Sequence, residues 1–223
     1  MTNRQNLLTL FPDLDPAAQA DLAALLQIGS YPAGHIFHMP NEAGTHVFLL
    51  QQGRVRIYKL SPEGRALTLL VLHPPSLFGE MALIGPGIHD TCAEAMTECL
   101  VARIEREALR AFLSRHPGAA IDLMELMGAR LRTMEQRLAD IAFKSVPQRL
   151  AALLLDLAGD PADGATPATL VRYTHQQLAE MIGAYRETVT KALGDLREAN
   201  LIRIADDAIV LVDLAQLRRL ASG

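Results

Sequence analysis

The chain has 223 residues, a formal net charge of −4 and a composition that is half apolar. That length fits one large domain or two small ones, with apolar residues enough for real cores. No run reaches the ~18 uninterrupted apolar residues of a membrane span, residues 1–8 lack the long apolar stretch of a secretory signal, and the acidic balance rules out a protein that coats nucleic acid by bulk attraction.

Residues 1–25 read as helical, with Asp15-Pro16 opening a run of Ala and Leu at helical spacing. From about residue 26 to 106 the pattern changes to short β-prone runs. Val47-Phe48-Leu49-Leu50 stops at Gln52-Gly53, residues 55–60 alternate and stop at Ser61-Pro62-Glu63-Gly64, residues 67–72 stop at His73-Pro74-Pro75, and residues 99–104 close the set. Many short strands split by turns predict a sandwich or barrel. Cys92 and Cys99 fit no metal or disulfide framework. Their odd separation predicts opposite faces of one strand, as reduced thiols in a cytoplasmic protein. A metal-binding β-roll enzyme needs two histidines two apart with a downstream glutamate. His35 and His38 are three apart ahead of Glu42, which turns their rings to opposite faces of a strand, so neither a metal nor an enzyme is expected.

No proline interrupts residues 118–143. Met124, Met127, Leu131, Met134, Leu138 and Ile141 step by 3, 4, 3, 4 and 3, the seam of a coiled coil. Leu123 and Leu126 offer a second stripe, for the β-domain. Two stripes need two partners, so the spacing predicts a parallel homodimer with a methionine-rich, adaptable seam. Ser145-Val146-Pro147 then breaks the helix as a hinge. Residues 148–158 form another helix and residues 159–167 an exposed loop.

Residues 174–202 read as a helix-turn-helix. Thr174 and Gln177 form a capping-box pair, so a helix starts at His175. Leu178, Met181 and Ile182 face inward, Ala179 admits a crossing helix, and Gly183 supplies a turn with φ > 0. Val189, Ala192, Leu193 and Leu196 face inward on the second helix. Arg186, Glu187, Thr190 and Lys191 remain on one exposed face at its start. An arginine can grip the two acceptors of guanine and a carboxylate can accept from cytosine N4, which suits the major groove. A ligand-binding module without DNA would leave this face idle. Residues 145–223 carry eight basic side chains against ten acidic ones, so a specific binder with a small positive surface is expected. Residues 201–204 and 208–212 flank Asp206-Asp207 as a hairpin, a wing whose acidic tip should pack rather than grip phosphate. Residues 214–220 read as a short closing helix.

The order of β-roll, long helix and winged helix resembles the cyclic-AMP receptor protein/FNR (CRP/FNR) family of bacterial transcription regulators. The segments that carry the resemblance are Phe78-Gly79-Glu80-Met81-Ala82-Leu83 and Arg186-Glu187-Thr188-Val189-Thr190-Lys191. It implies an α+β fold: a cyclic-nucleotide-binding-type β-roll (jelly roll) in residues 1–116, a dimerisation helix in 117–144 and a winged helix-turn-helix DNA-binding domain in 145–223. It implies a cytoplasmic homodimer with no membrane association, an activator that touches RNA polymerase, in part through residues 159–167, and that can repress by position. The implied partner is double-stranded DNA bearing an inverted repeat like TGTGA-N6-TCACA, with half-sites ~34 Å apart. By the resemblance Arg186, Glu187 and Lys191 read bases, with Thr190 on the same face, while Gln176, Tyr185 and Thr188 touch phosphates. Lys191 stands where the family has arginine and lacks its planar fork.

The family's β-roll holds a cyclic nucleotide through a Gly-Glu pair at the ribose and an Arg-Ser or Arg-Thr pair at the phosphate. Here Gly79 and Glu80, followed by Met81, are present, and so is Thr91. Asp90 occupies the arginine position, and no other Arg or Lys lies between Gly79 and Ala102. A carboxylate facing a phosphate exchanges attraction for repulsion. Met134 and Glu135 replace the hydroxyls that bond the base, and Arg130 can pair with Glu80 and fill the pocket from within. The expectation is a regulator that needs no cofactor, with cyclic AMP disfavoured. The alternative is a cyclic-AMP-dependent activator or gating by another small ligand. An iron–sulfur variant needs N-terminal cysteines, and none precedes Cys92. A haem variant would draw its axial ligand from His73 or Cys92, for which surface or core roles are expected.

Overall fold

Asp15 starts the first helix as its spacing predicts. Its carboxylate accepts from the amides of Ala17 (2.9 Å) and Ala18 (2.8 Å), and Pro16 sits in the first turn of α1 (Pro16–Ala24), where a missing N–H costs nothing. The computed structural model describes residues 9–159 and 168–222. These form two compact units divided between Thr133 and Met134, with Arg65–Thr68 belonging to the second.

The first unit holds two four-stranded sheets. One contains β1 (Gln27–Tyr31), β3 (His46–Gln52), β6 (Ser76–Phe78) and β8 (Cys99–Glu105) in the order β1-β8-β3-β6. The other contains β2 (Ile36–His38), β4 (Val55–Leu60), β5 (Ala66–Leu72) and β7 (Cys92–Ala95) in the order β2-β7-β4-β5. Successive residues of β3 enter different cores, as the two-residue period of a strand requires. Leu49 joins Leu22 of α1 and Phe112 of α2 (Arg106–Arg115), whereas Leu50 joins Val55, Ala93 and Val101. The first sheet is therefore covered by helices on one face and by the second sheet on the other.

Contrary to what their spacing predicts, the two cysteines do not share one strand. Cys92 lies on β7 of the second sheet and Cys99 on β8 of the first, both buried and free. A turn intervenes, pinned where Thr97 Oγ1 accepts from the Arg54 amide (3.0 Å) and donates to the Glu98 carbonyl (3.1 Å). The sequence period cannot see that turn, since one of its two anchors comes from the start of a distant strand.

The helix α3 (Pro117–Phe143) runs 27 residues, about 40 Å. The next helix, α4 (Val146–Leu157), starts two residues earlier than predicted. Gln148 reaches back so that its Oε1 accepts from the Ser145 amide (2.7 Å) and hydroxyl (2.8 Å), and Pro147 is tolerated in the first turn. Among the described residues no helix is long and apolar enough to cross a membrane.

In the second unit α4 packs against α5 (His175–Ile182), α6 (Arg186–Glu198) and α7 (Leu214–Ser222). The predicted hairpin is β10 (Ile202–Ile204) with β11 (Ala208–Leu211). A third strand, β9 (Ala168–Val171), pairs with β11; four residues without a turn signal do not announce it. Residues 160–167, most of the loop expected to meet RNA polymerase, lie outside the described residues.

Candidate nucleic-acid interface and β-roll pocket

The helix pair is built by local chemistry. The Gln177 amide donates to Thr174 Oγ1 (3.1 Å) while Gln177 Oε1 accepts from the Thr174 amide (2.9 Å), satisfying two orphan donors of α5 at once. Gly183 ends α5 at φ 63° and ψ 47°, a conformation that costs glycine little. Val189, Ala192, Leu193 and Leu196 bury one face of α6. The other leaves Arg186, Glu187, Thr188, Thr190 and Lys191 exposed within its first two turns. Gln176 is exposed beside them and donates to Glu180 (2.8 Å).

Three further residues belong to this face and are not legible in the sequence. The Arg65 guanidinium lies 4.3 Å over the ring of Tyr185, adding a cation beside an expected phosphate contact. His175 Nδ1 lies 2.8 Å from Thr190 Oγ1, and that hydroxyl donates to the Arg186 carbonyl (2.9 Å). Arg172 Nη1 donates to the carbonyls of Asp206 (2.9 Å) and Ala205 (3.3 Å), and the Arg172 amide donates to the Asp207 carbonyl (2.9 Å). The acidic wing tip is thus tied down next to a cleft lined by Arg172, His175, Gln176 and Arg186. None of these pairs has a sequence period; each joins elements that only the tertiary fold brings together.

In the first unit, Gly79 takes φ 76°, and a Cβ there would meet the Phe48 ring at 3.0 Å, so a side chain would be strained by the backbone and tight against the ring. It leads into a 3-10 turn, Glu80–Leu83, that buries Glu80 and leaves Met81 exposed. Arg130 of α3 meets Glu80 with Nη1 3.0 Å from Oε1, the side chains being only 15% and 11% exposed. The same guanidinium donates to the Leu77 carbonyl. Asp90 is exposed and pairs with Lys59 of β4 at 3.3 Å, a cation that inspection of residues 79–102 alone does not find. The half-buried Thr91 contributes its carbonyl to His38 Nδ1 (2.9 Å). Met134 and Glu135 lie past the division at Thr133 and belong to the second unit. Among these residues Glu80 pairs with Arg130, as anticipated, Asp90 with Lys59, and the Thr91 carbonyl with His38.

His38 and His89 form a face-to-face stack, centroids 3.8 Å apart and planes within 10°, each residue 4% exposed. Burial, then the neighbouring His89, pushes His38 down to about 4, and burial lowers His89. Both are therefore neutral near pH 7. The unfolded chain takes up protons near pH 6.5 and the folded chain only near 4. The stability that the neutral ring contributes is complete above about pH 6.5 and is lost as pH falls toward 4, about 3 kcal/mol for His38. Urea unfolding followed by circular dichroism from pH 7 to 4 should show this loss, and His38→Asn should remove that share of the slope. Equal slopes for the two proteins would refute it. His35 instead contacts Tyr31 and Phe37, with centroids at 4.6 and 4.9 Å. Among the described residues no three His, Cys, Asp or Glu side chains are placed to hold a metal.

On α3, Leu123 and Leu126 pack against the core of the first unit. Leu131 and Leu138 stand 61% and 69% exposed, Met124 and Ile141 are exposed, and Met127 and Met134 are half-buried. These six residues form one row along α3, exposed at four positions and half-buried at two.

Residues 28–116 match the cyclic nucleotide-binding domain family, and residues 148–220 match the Crp-like helix-turn-helix domain family. The chain is 33% identical to a CRP-like cAMP-activated global transcriptional regulator of Mycobacterium tuberculosis, over 95% of this chain and 96% of that one. It is 31% identical to the cyclic AMP receptor protein of Thermus thermophilus, over 96% and 97% of the two chains. The fold matches a crystal structure of a crp/fnr family protein from Eubacterium rectale with TM-score 0.80 at 24% identity, covering 98% of this chain and 100% of that one.

Proposed function

The chain belongs to the CRP/FNR family of transcription regulators, and on that premise we propose that it works as a homodimer on an inverted repeat like TGTGA-N6-TCACA without needing cyclic AMP. The observation that carries effector independence is the Arg130–Glu80 pair at 3.0 Å. Glu80 is the carboxylate that would take a nucleotide ribose, and here it is engaged by a guanidinium of the chain itself. Asp90 at the phosphate position reinforces the point, since its partner Lys59 offsets one negative charge but leaves no surplus cation for a phosphate. The exposed row from Met124 to Ile141 supports a two-fold seam. Arg186, Glu187, Thr190 and Lys191 are the base readers, and Gln176, Tyr185 and Thr188 the phosphate contacts. Bound at a promoter, such a dimer would activate by touching RNA polymerase and repress by position.

The test is a fluorescence-anisotropy titration of a TGTGA-N6-TCACA duplex against a scrambled duplex at fixed salt, with and without cyclic AMP. Specific binding unchanged by the nucleotide is expected. Binding that appears only with nucleotide would place the chain with its mycobacterial relative, whose name states cAMP activation, and would end the effector-independent reading. In the same assay Arg186→Ala should weaken the specific complex by roughly 1–3 kcal/mol and relax preference at one base pair. An equal loss on the scrambled duplex would mean that Arg186 holds only phosphate.

A further inference from the structure

A threonine hydroxyl has a single hydrogen. In Thr190 that hydrogen goes to the Arg186 carbonyl (2.9 Å), because a carbonyl cannot donate. The 2.8 Å contact with His175 must then run from an imidazole Nδ1–H to Thr190 Oγ1. The hydroxyl is held from two sides, back along α6 and across to the start of α5. It has no hydrogen left for the acceptors that guanine, adenine N7 or thymine O4 present in the major groove. The side chain remains exposed on the face with Arg186, Glu187 and Lys191, and the group free to lead outward is its methyl.

We infer that Thr190 reads a thymine 5-methyl group through its own methyl, and that His175 is the positioning residue that keeps the hydroxyl withdrawn. This rests on the reading of α6 as the base-reading helix and adds what one of its residues recognises and why. A hydroxyl free to rotate would accept several bases; one pinned by His175 favours an apolar contact, for which thymine alone offers a partner in the major groove.

The test uses the full chain and the tightest duplex it selects from a randomised inverted-repeat library. Each thymine is replaced in turn by deoxyuracil, which removes only the 5-methyl. At one thymine per half-site the wild type should bind about fourfold more weakly, the worth of one buried methyl. Thr190→Ser keeps the hydroxyl network but lacks the methyl. It should bind the parent duplex about fifteenfold more weakly, because both protomers lose the contact, and be indifferent to that replacement. Thr190→Val keeps a methyl and should stay sensitive. His175→Ala should lose the sensitivity and His175→Asn, which restores a donor near the same place, should regain it. Each variant is also titrated against a scrambled duplex, and the effect is read as the ratio of parent to deoxyuracil affinity, so that a change in general DNA affinity cancels.

If no thymine is felt by the wild type and ignored by Thr190→Ser, or if Thr190→Val rather than Thr190→Ser abolishes the effect, methyl recognition is refuted. An unchanged effect in His175→Ala removes His175 from the inference. If the wild type selects no duplex over the scrambled one, base reading by α6 falls and this inference with it.

Discussion

Replacing Arg130 with leucine should destabilise the first unit by about 3 kcal/mol, the lower end of the range for breaking a buried ion pair, because each partner keeps a little exposure. The cost falls on the partner left behind. Leucine fills most of the volume of the guanidinium stem, so packing changes little. Glu80 is left with its carboxylate under the β-roll and no counter-charge, and the Leu77 carbonyl loses a donor. Glu80→Gln in the same background removes the stranded charge and should recover most of the loss, since replacing both members of a buried pair costs far less than replacing one. Urea unfolding of the two single variants and the double variant measures the coupling directly. If Arg130→Leu falls within about 0.5 kcal/mol of wild type, as for a substitution away from any such feature, the pair exchanges freely with water and the pocket is open to an outside ligand.

Leu138→Glu should split the proposed homodimer, raising its dissociation constant about a thousandfold. Leu138 is 69% exposed, so the folded protomer barely uses it. Across a two-fold axis it would meet its own copy, and covering two leucines is worth about 4 kcal/mol in total, close to three decades in affinity. Two carboxylates in the same place add repulsion. Sedimentation equilibrium reads the change, with circular dichroism to show that the protomer stays folded. A variant that sediments as a dimer at the wild-type concentration would remove the seam from α3. Loss of tight DNA binding should accompany dissociation, because one protomer reaches only one half-site.

The helix-turn-helix was the most legible part of the sequence because its determinants are local. Thr174 and Gln177 cap each other three residues apart, Gly183 supplies one backbone conformation, and the inward row of α6 follows one helical period. The long helix and its break before Pro147 are likewise set by neighbours in the chain. The strand β7 and the two sheets that receive Cys92 and Cys99 were not legible, because a turn anchored on Arg54 decides where one strand stops. Lys59 with Asp90, His38 with His89 and His175 with Thr190 are pairs between distant segments, and neither composition nor spacing carries them. Arg130 with Glu80 is the exception. Glu80 falls on a position that the resemblance to the CRP/FNR family singles out and Arg130 on the helix expected beside it, so that pairing could be anticipated while its burial and second bond to Leu77 could not.

The Arg130–Glu80 pair also sets a tempo. In the proposed effector-independent mechanism, with the carboxylate held by the chain itself, a nucleotide signal that rises and falls within seconds has nothing to take hold of, and promoter occupancy follows the synthesis of the protein and its dilution by growth. The DNA-competent species in the proposed mechanism is a pair of chains, so while monomers predominate its concentration rises as the square of copy number. Output then climbs more steeply than expression of the gene. A cell using such a circuit gives up speed and gains a threshold: low, noisy expression is ignored, and sustained expression is answered in full.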